Sequence, residues 1–124
     1  MRLKILVLDD DQDILNVINT ILSIYKYDCI PVKEWKTLHE KVLTHMPDLI
    51  LLEINLAGKD GRELCYLLKN DARISFIPII LFSNSEGVTK IFNDCKAVDF
   101  VKKPFEVKDL LDKIKKHASV AINN

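Results

Sequence analysis

The chain has 124 residues, 48% of them hydrophobic, with 18 basic and 18 acidic side chains and therefore no net charge. That size suits one domain with one core, burying roughly two-thirds of its unfolded surface without a disulfide or metal staple. Balanced charge argues against non-specific nucleic-acid binding. The scattered Cys29, Cys65 and Cys95, with no CxxC pair, read as free thiols of a reducing compartment.

The opening MRLKILVLDD meets acids at once, so it reads as neither a signal peptide nor a membrane span, and the expected location is the cytoplasm. Residues 3–8 form a short apolar run, as expected of a strand covered on both faces. Over 11–25, Ile14, Leu15, Val17, Ile18, Ile21, Leu22 and Tyr25 follow helical spacing behind early acids. Residues 27–32 predict a weaker strand whose Pro31 favours a sheet edge. A second helix spans 35–45, with Leu38, Val42 and Leu43 on one face and Pro47 closing it.

The third strand covers 49–54, and Gly58 and Gly61 mark a loop after it. A third helix follows over 62–71 with Leu64, Leu67 and Leu68 inward, then a fourth strand at 77–82 and a short helix at 88–94. A fifth strand (98–102) precedes a fifth helix (106–118) that turns Val107, Leu110, Leu111 and Ile114 inward. The domain is expected to span 1–118, with 119–124 a flexible tail.

Strict alternation of strands and helices predicts an α/β fold, a doubly wound parallel sheet with helices on both faces. No Gly-rich phosphate loop follows the first strand, which leaves dinucleotide and P-loop sites unsupported. Ligands of such sheets gather at the carboxyl ends of the strands. There stand Asp9 and Asp10 after strand one, Glu53 after strand three, Ser83 after strand four and Lys103 after strand five.

Singly, these residues have plain readings. The Asp pair suits a helix cap, Glu53 is leaving the core, Ser83 suits a turn, and Lys103 is a solvated lysine whose Pro104 stops the strand. Jointly they say more. Three carboxylates brought together repel unless a cation or a proton relieves them. A hard ion such as Mg²⁺ suits oxygen ligands, and Lys103 adds a fixed positive charge. The set reads as a metal-assisted site for a phosphoryl-sized anion, or as a salt-bridge network of the same shape.

From KILVLDDDQDI through PDLILLEINLAGKDG and IPIILFS to AVDFVKKPF, the chain resembles the response-regulator receiver domain of two-component signalling. The resemblance implies a flavodoxin-like (βα)5 fold with strand order 2-1-3-4-5. It implies that Asp9 and Asp10 are the acid pair that helps hold Mg²⁺, and that Asn55 offers a backbone carbonyl to the metal. Ser83 would bind a phosphoryl oxygen and Lys103 would pair with the phosphoryl group. Phe100 would be the aromatic that turns as the switch is thrown, and Lys103–Pro104 a candidate cis bond.

Glu53 departs from that pattern, for it stands where such domains carry the phosphoacceptor aspartate. One more methylene adds about 1.5 Å of reach, and a misplacement of about 1 Å can cost roughly a hundredfold in transfer rate. The longer arm can instead reach Lys103 or Ser83, placing a permanent charge where phosphate would supply a transient one. Mg²⁺ binding by Asp9, Asp10, Glu53 and Asn55 would then be weakened or lost. Two more departures bear on output: Ala57 replaces the loop's usual proline, and the span from Ser83 to Lys103 is about two residues shorter than family habit, with Asn84 in place of a small residue.

The expectation is thus an atypical (pseudo-)receiver, not an enzyme, that acts through protein–protein contact. Its expected partner is a histidine kinase or a downstream signalling protein, with neither nucleic acid nor membrane bound by this domain. A homodimer would use the face of the fourth helix, fifth strand and fifth helix. The alternatives are a phosphorylatable receiver of a phosphorelay, a small Mg-dependent phosphatase reading DDDQD as its nucleophile motif, and a flavodoxin-like domain whose charges only stabilise it. No output domain is expected after residue 118, so the chain reads as a stand-alone receiver or one domain of a longer protein. His39, His45 and His117 are too scattered for zinc, Trp35 reads as a packing anchor, and Cys65 and Cys95 read as surface thiols.

Overall fold

A computed structural model describes residues 2–84 and 95–122, with side chains as far as 118. Seven strands and four helices are described: β1 (Lys4–Leu8), α1 (Gln12–Ile24), β2 (Asp28–Val32), α2 (Leu38–His45), β3 (Leu49–Leu52), β4 (Asn55–Leu56), β5 (Lys59–Asp60), α3 (Gly61–Lys69), β6 (Ile79–Ser83), β7 (Asp99–Lys102) and α4 (Val107–Ile122). Five strands make a parallel sheet in the order β2-β1-β3-β6-β7, while β4 and β5 pair as a small antiparallel hairpin. Counting only the strands of the main sheet, this is the 2-1-3-4-5 order that the resemblance implies. The helix expected at 88–94 lies outside the described residues.

Two apolar layers sandwich the sheet because strand side chains alternate in direction. Ile5, Val7, Leu49, Leu51, Ile80 and Phe82 face one way, against α1 and α4. Leu6, Leu8, Ile50, Leu52, Ile79 and Leu81 face the other way, against α2 and α3. Pro31 sits on the edge strand β2, where its missing N–H leaves no central ladder bond unmade.

Local chemistry sets the helix ends. Asp11 caps α1 by accepting the N–H of Asp13 at 2.9 Å, and Asp60 caps α3 by accepting that of Arg62 at 2.9 Å. Met46 ends α2 in a left-handed conformation (φ 45°), immediately before Pro47.

Several expectations change. The second helix opens as a 3-10 turn over Trp35–Thr37. Strand β6 begins at Ile79, since Pro78 has no N–H to donate; its carbonyl accepts Ile50 N–H instead. The backbone of α4 stays helical to Ile122, four residues past the expected end, because residues 119–122 contain neither Gly nor Pro to stop it. Leu67 and Val107 are exposed, whereas Cys65 and Cys95 are buried. On α3 the inward stripe is Gly61, Leu64, Cys65 and Leu68, a period that turns Leu67 outward.

Candidate functional site

Asp9, Glu53 and Lys103 meet at the carboxyl edge of the sheet. Each continues the alternation of its strand: Asp9 follows Ile5 and Val7, Glu53 follows Leu49 and Leu51, and Lys103 follows Val101, all on the α1 and α4 side. Backbone bonds hold the three strand ends level, with Asp9 N–H donating to Val32 O, Glu53 N–H to Leu8 O and Lys103 N–H to Ser83 O. The Lys103–Pro104 peptide is cis.

The lysine ammonium lies between the two acids. Nζ is 2.5 Å from Asp9 Oδ2 and 3.0 Å from Glu53 Oε1, and 4.4 Å from the centre of the Phe82 ring. Asp9 is 1% exposed, Glu53 5%, and the Lys103 side chain 14%. The second Asp9 oxygen accepts Asp11 N–H at 2.9 Å. The second Glu53 oxygen accepts Ile54 N–H at 2.7 Å and Asn55 N–H at 3.1 Å. Burial lifts the Asp9 carboxyl above its ordinary range, against the pull of Lys103 and the Asp11 N–H.

Asp10 is turned elsewhere. Its Oδ2 accepts Ala57 N–H at 2.8 Å, at the tip of the β4–β5 hairpin. Asn55 Nδ2 donates to Ser83 Oγ at 3.3 Å and reaches Asn84 Oδ1 at 3.5 Å, and Ser83 is fully buried. Phe100 is half-buried, with Lys113 bonded to its carbonyl at 2.7 Å and standing 5.4 Å from its ring centre.

The structure places the strand-end residues Asp9 and Glu53 within hydrogen-bond reach of Lys103, turns Asp10 to the hairpin, and joins Asn55 to Ser83, a pairing the sequence reading did not make. Sequence reasoning also misses the hairpin, whose two-residue strands are too short to show a period, and the backbone N–H groups that anchor Glu53 and Asp10. The parity of Asp9, Glu53 and Lys103 with their strands was the one signal that pointed to a shared face.

These donors do not fit Mg²⁺ as they stand. Among the described residues no three His, Cys, Asp or Glu side chains gather around a common point, and no buried side-chain nitrogen or oxygen lacks a partner. Each carboxylate oxygen of Asp9 and Glu53 already accepts a hydrogen bond, and Asp10 faces the hairpin.

Away from the site, His39 pairs with Asp71 at 2.9 Å and His117 with Asp99 at 2.9 Å. Trp35 packs against the core, with Lys59 4.7 Å from its ring centre. No described helix is long and apolar enough to cross a membrane.

A doubly wound five-strand parallel sheet with acids and a lysine at the carboxyl ends of its strands is a flavodoxin-like α/β domain with a charged crevice. The chain belongs to the response regulator receiver domain family, whose model matches residues 5–115. Receivers are signalling modules that work with histidine kinases and downstream effectors, not classical enzymes. The chain is 34% identical over 113 residues to the phosphate regulon transcriptional regulatory protein PhoB of Pseudomonas aeruginosa, covering 90% of this chain and 49% of that protein. It is 28% identical over 120 residues to Protein PilG of the same organism, covering 93% of this chain and 87% of PilG. The chain spans about half the length of PhoB and of the next curated relative, PhoP of Bacillus subtilis (48%). A CheY-like response regulator receiver domain protein from Methanospirillum hungatei JF-1, 24% identical, superposes with a TM-score of 0.87 over 96% of this chain and 95% of that one, a likeness of fold alone.

Proposed function

We propose that this receiver signals without phosphoryl transfer, Glu53 holding in place the negative charge that a phosphoaspartate would supply transiently. The observation that carries the reading is the 3.0 Å bond from Lys103 to Glu53 Oε1. The added methylene brings the carboxylate to the ammonium, while Ile54 and Asn55 N–H groups fix its other oxygen. A carboxylate bonded at both oxygens is poorly placed to attack phosphorus in line. Output would be a protein–protein contact in the cytoplasm, with a kinase, a downstream signalling protein or a second copy. The proposed docking face includes β7 and α4; the helix expected at 88–94, its third part, lies outside the described residues. The working unit would be the receiver domain, its last helix running on to Ile122.

A second reading, a phosphorylatable receiver, is favoured by the retained Asp9, Asp10, Ser83 and Lys103 and by the regulators among the relatives. One experiment separates the two: incubate the protein with acetyl phosphate and Mg²⁺ and measure intact mass. The proposal expects no adduct. A phosphoryl group on Glu53 that shows the acid–base lability of an acyl phosphate would establish the second reading.

A further inference from the structure

The two members of the acid pair serve different ends. Asp9 is committed inward, one oxygen on Asp11 N–H and the other on the Lys103 ammonium. Asp10 is committed outward, tying Ala57 N–H and so the hairpin tip to the start of α1. Lys103 itself is held in place, for its N–H bonds to Ser83 O, its ammonium stands beside the Phe82 ring, and little of its side chain meets solvent.

Buried carboxylates need a counter-charge, and in a site of low dielectric a fixed ammonium supplies one without drawing ligands from the bulk. We infer that Lys103 is the resident cation of this crevice, closed in by an Asp10–Ala57 latch, so that a divalent cation competes with Lys103 instead of completing the fold. The inference rests on the reading of Glu53 as a fixed charge. A divalent ion entering here has to take Asp9 and Glu53 from the ammonium, strand that ammonium in a mostly buried place, and pull Asp10 from the hairpin. Each of these opposes binding. Without the Lys103 ammonium, the Asp9 and Glu53 carboxylates become an uncompensated pair, and a divalent cation becomes their natural counter-charge.

The test is thermal unfolding of the full chain in EDTA and in 10 mM Mg²⁺, a concentration on the order of a hundred times a typical sub-millimolar dissociation constant. The wild type is expected to shift by less than about 1 °C, and Lys103→Met to rise by on the order of 10 °C on adding Mg²⁺. If Lys103→Met is unfolded in EDTA, a cooperative transition restored by Mg²⁺ counts as the expected result. A wild type stabilised as much as the variant overturns the inference, and so does a variant that Mg²⁺ neither stabilises nor restores. Amide exchange reads the latch separately: the Ala57 N–H is expected to exchange slowly, and at least about tenfold faster in Asp10→Ala. Exchange at the unprotected rate in the wild type removes the latch. None of these readouts involves phosphoryl transfer, so a failure here is distinguishable from a phosphoryl adduct on Glu53.

Discussion

Lys103 donates to Asp9 and Glu53 at once, at 2.5 Å and 3.0 Å. One ammonium therefore joins the ends of β1, β3 and β7, three strands far apart in the chain. Removing it leaves two nearly buried carboxylates side by side with their backbone donors only. Lys103→Met is expected to cost about 3–5 kcal/mol in metal-free buffer, the usual penalty for a buried charge stripped of its partner. Urea unfolding checks this; a loss under about 1 kcal/mol would mean the network contributes little.

The Asp9 carboxyl gives a pH signature with a definite sign. Its folded pKa is raised above 3.8, chiefly by burial and against the pull of Lys103, with Glu53 adding a smaller push. Its contribution is fully present below that unfolded value and is lost as pH rises through the folded one. The stability of wild type relative to Asp9→Asn is thus expected to fall as pH rises across this window. Asp99 behaves oppositely. Burial pushes its pKa up, but His117, the Phe100 N–H and Lys113 outweigh that and hold it low. The advantage of wild type over Asp99→Asn should grow as pH rises through the window below 3.8. Paired denaturant series between pH 2.5 and pH 7, chosen to span roughly the carboxylate range, read both signs.

Cys29 is half-buried on the edge strand, and burial pushes its thiol up to about 11. Only thiolate reacts with alkylating agents, so modification by iodoacetamide at mildly alkaline pH should run on the order of a hundredfold slower than for a free thiol. Cys65 and Cys95, both buried, should label only on unfolding. Site-resolved mass spectrometry of a labelling time course distinguishes the three.

Two glycines of the segment after β3 are needed for different reasons. A Cβ on Gly61 would stand 2.4 Å from Ile54 Cα and 2.9 Å from Ile54 O, both backbone atoms that cannot move aside alone. Gly61→Ala is expected to cost about 1–3 kcal/mol and to disturb Glu53 through its neighbour Ile54. Gly58 has open space around it but a φ of +73°, so Gly58→Ala should cost about 1 kcal/mol from backbone strain alone. Denaturant midpoints for both variants, with the chemical shift of the Glu53 side chain as a second readout, separate packing from strain.

The parallel sheet, its strand order and, among the described residues, the strand–helix alternation were legible in the sequence. Apolar runs such as ILVL and LILL report double-sided burial locally, and Asp9 and Glu53 fall directly after them. Boundaries were less legible. Leu67 and Cys65 exchanged places between inside and outside, because Leu67 lies three residues after Leu64 and Cys65 four after Gly61, and both spacings fit a helical pattern until a partner surface selects one.

The sequence by itself determined that a glutamate ends the third strand, and that two aspartates and a lysine end its neighbours. Only the tertiary structure decided how those charges are shared. Lys103 faces Asp9 as well as Glu53, and Asp10 serves the hairpin, through Ala57 N–H, instead of the crevice. The reason is physical. Strand periodicity fixes which face a residue is on, but the choice among several acids for one ammonium depends on distances of a few tenths of an ångström. Those distances arise only when strands remote in sequence are packed side by side.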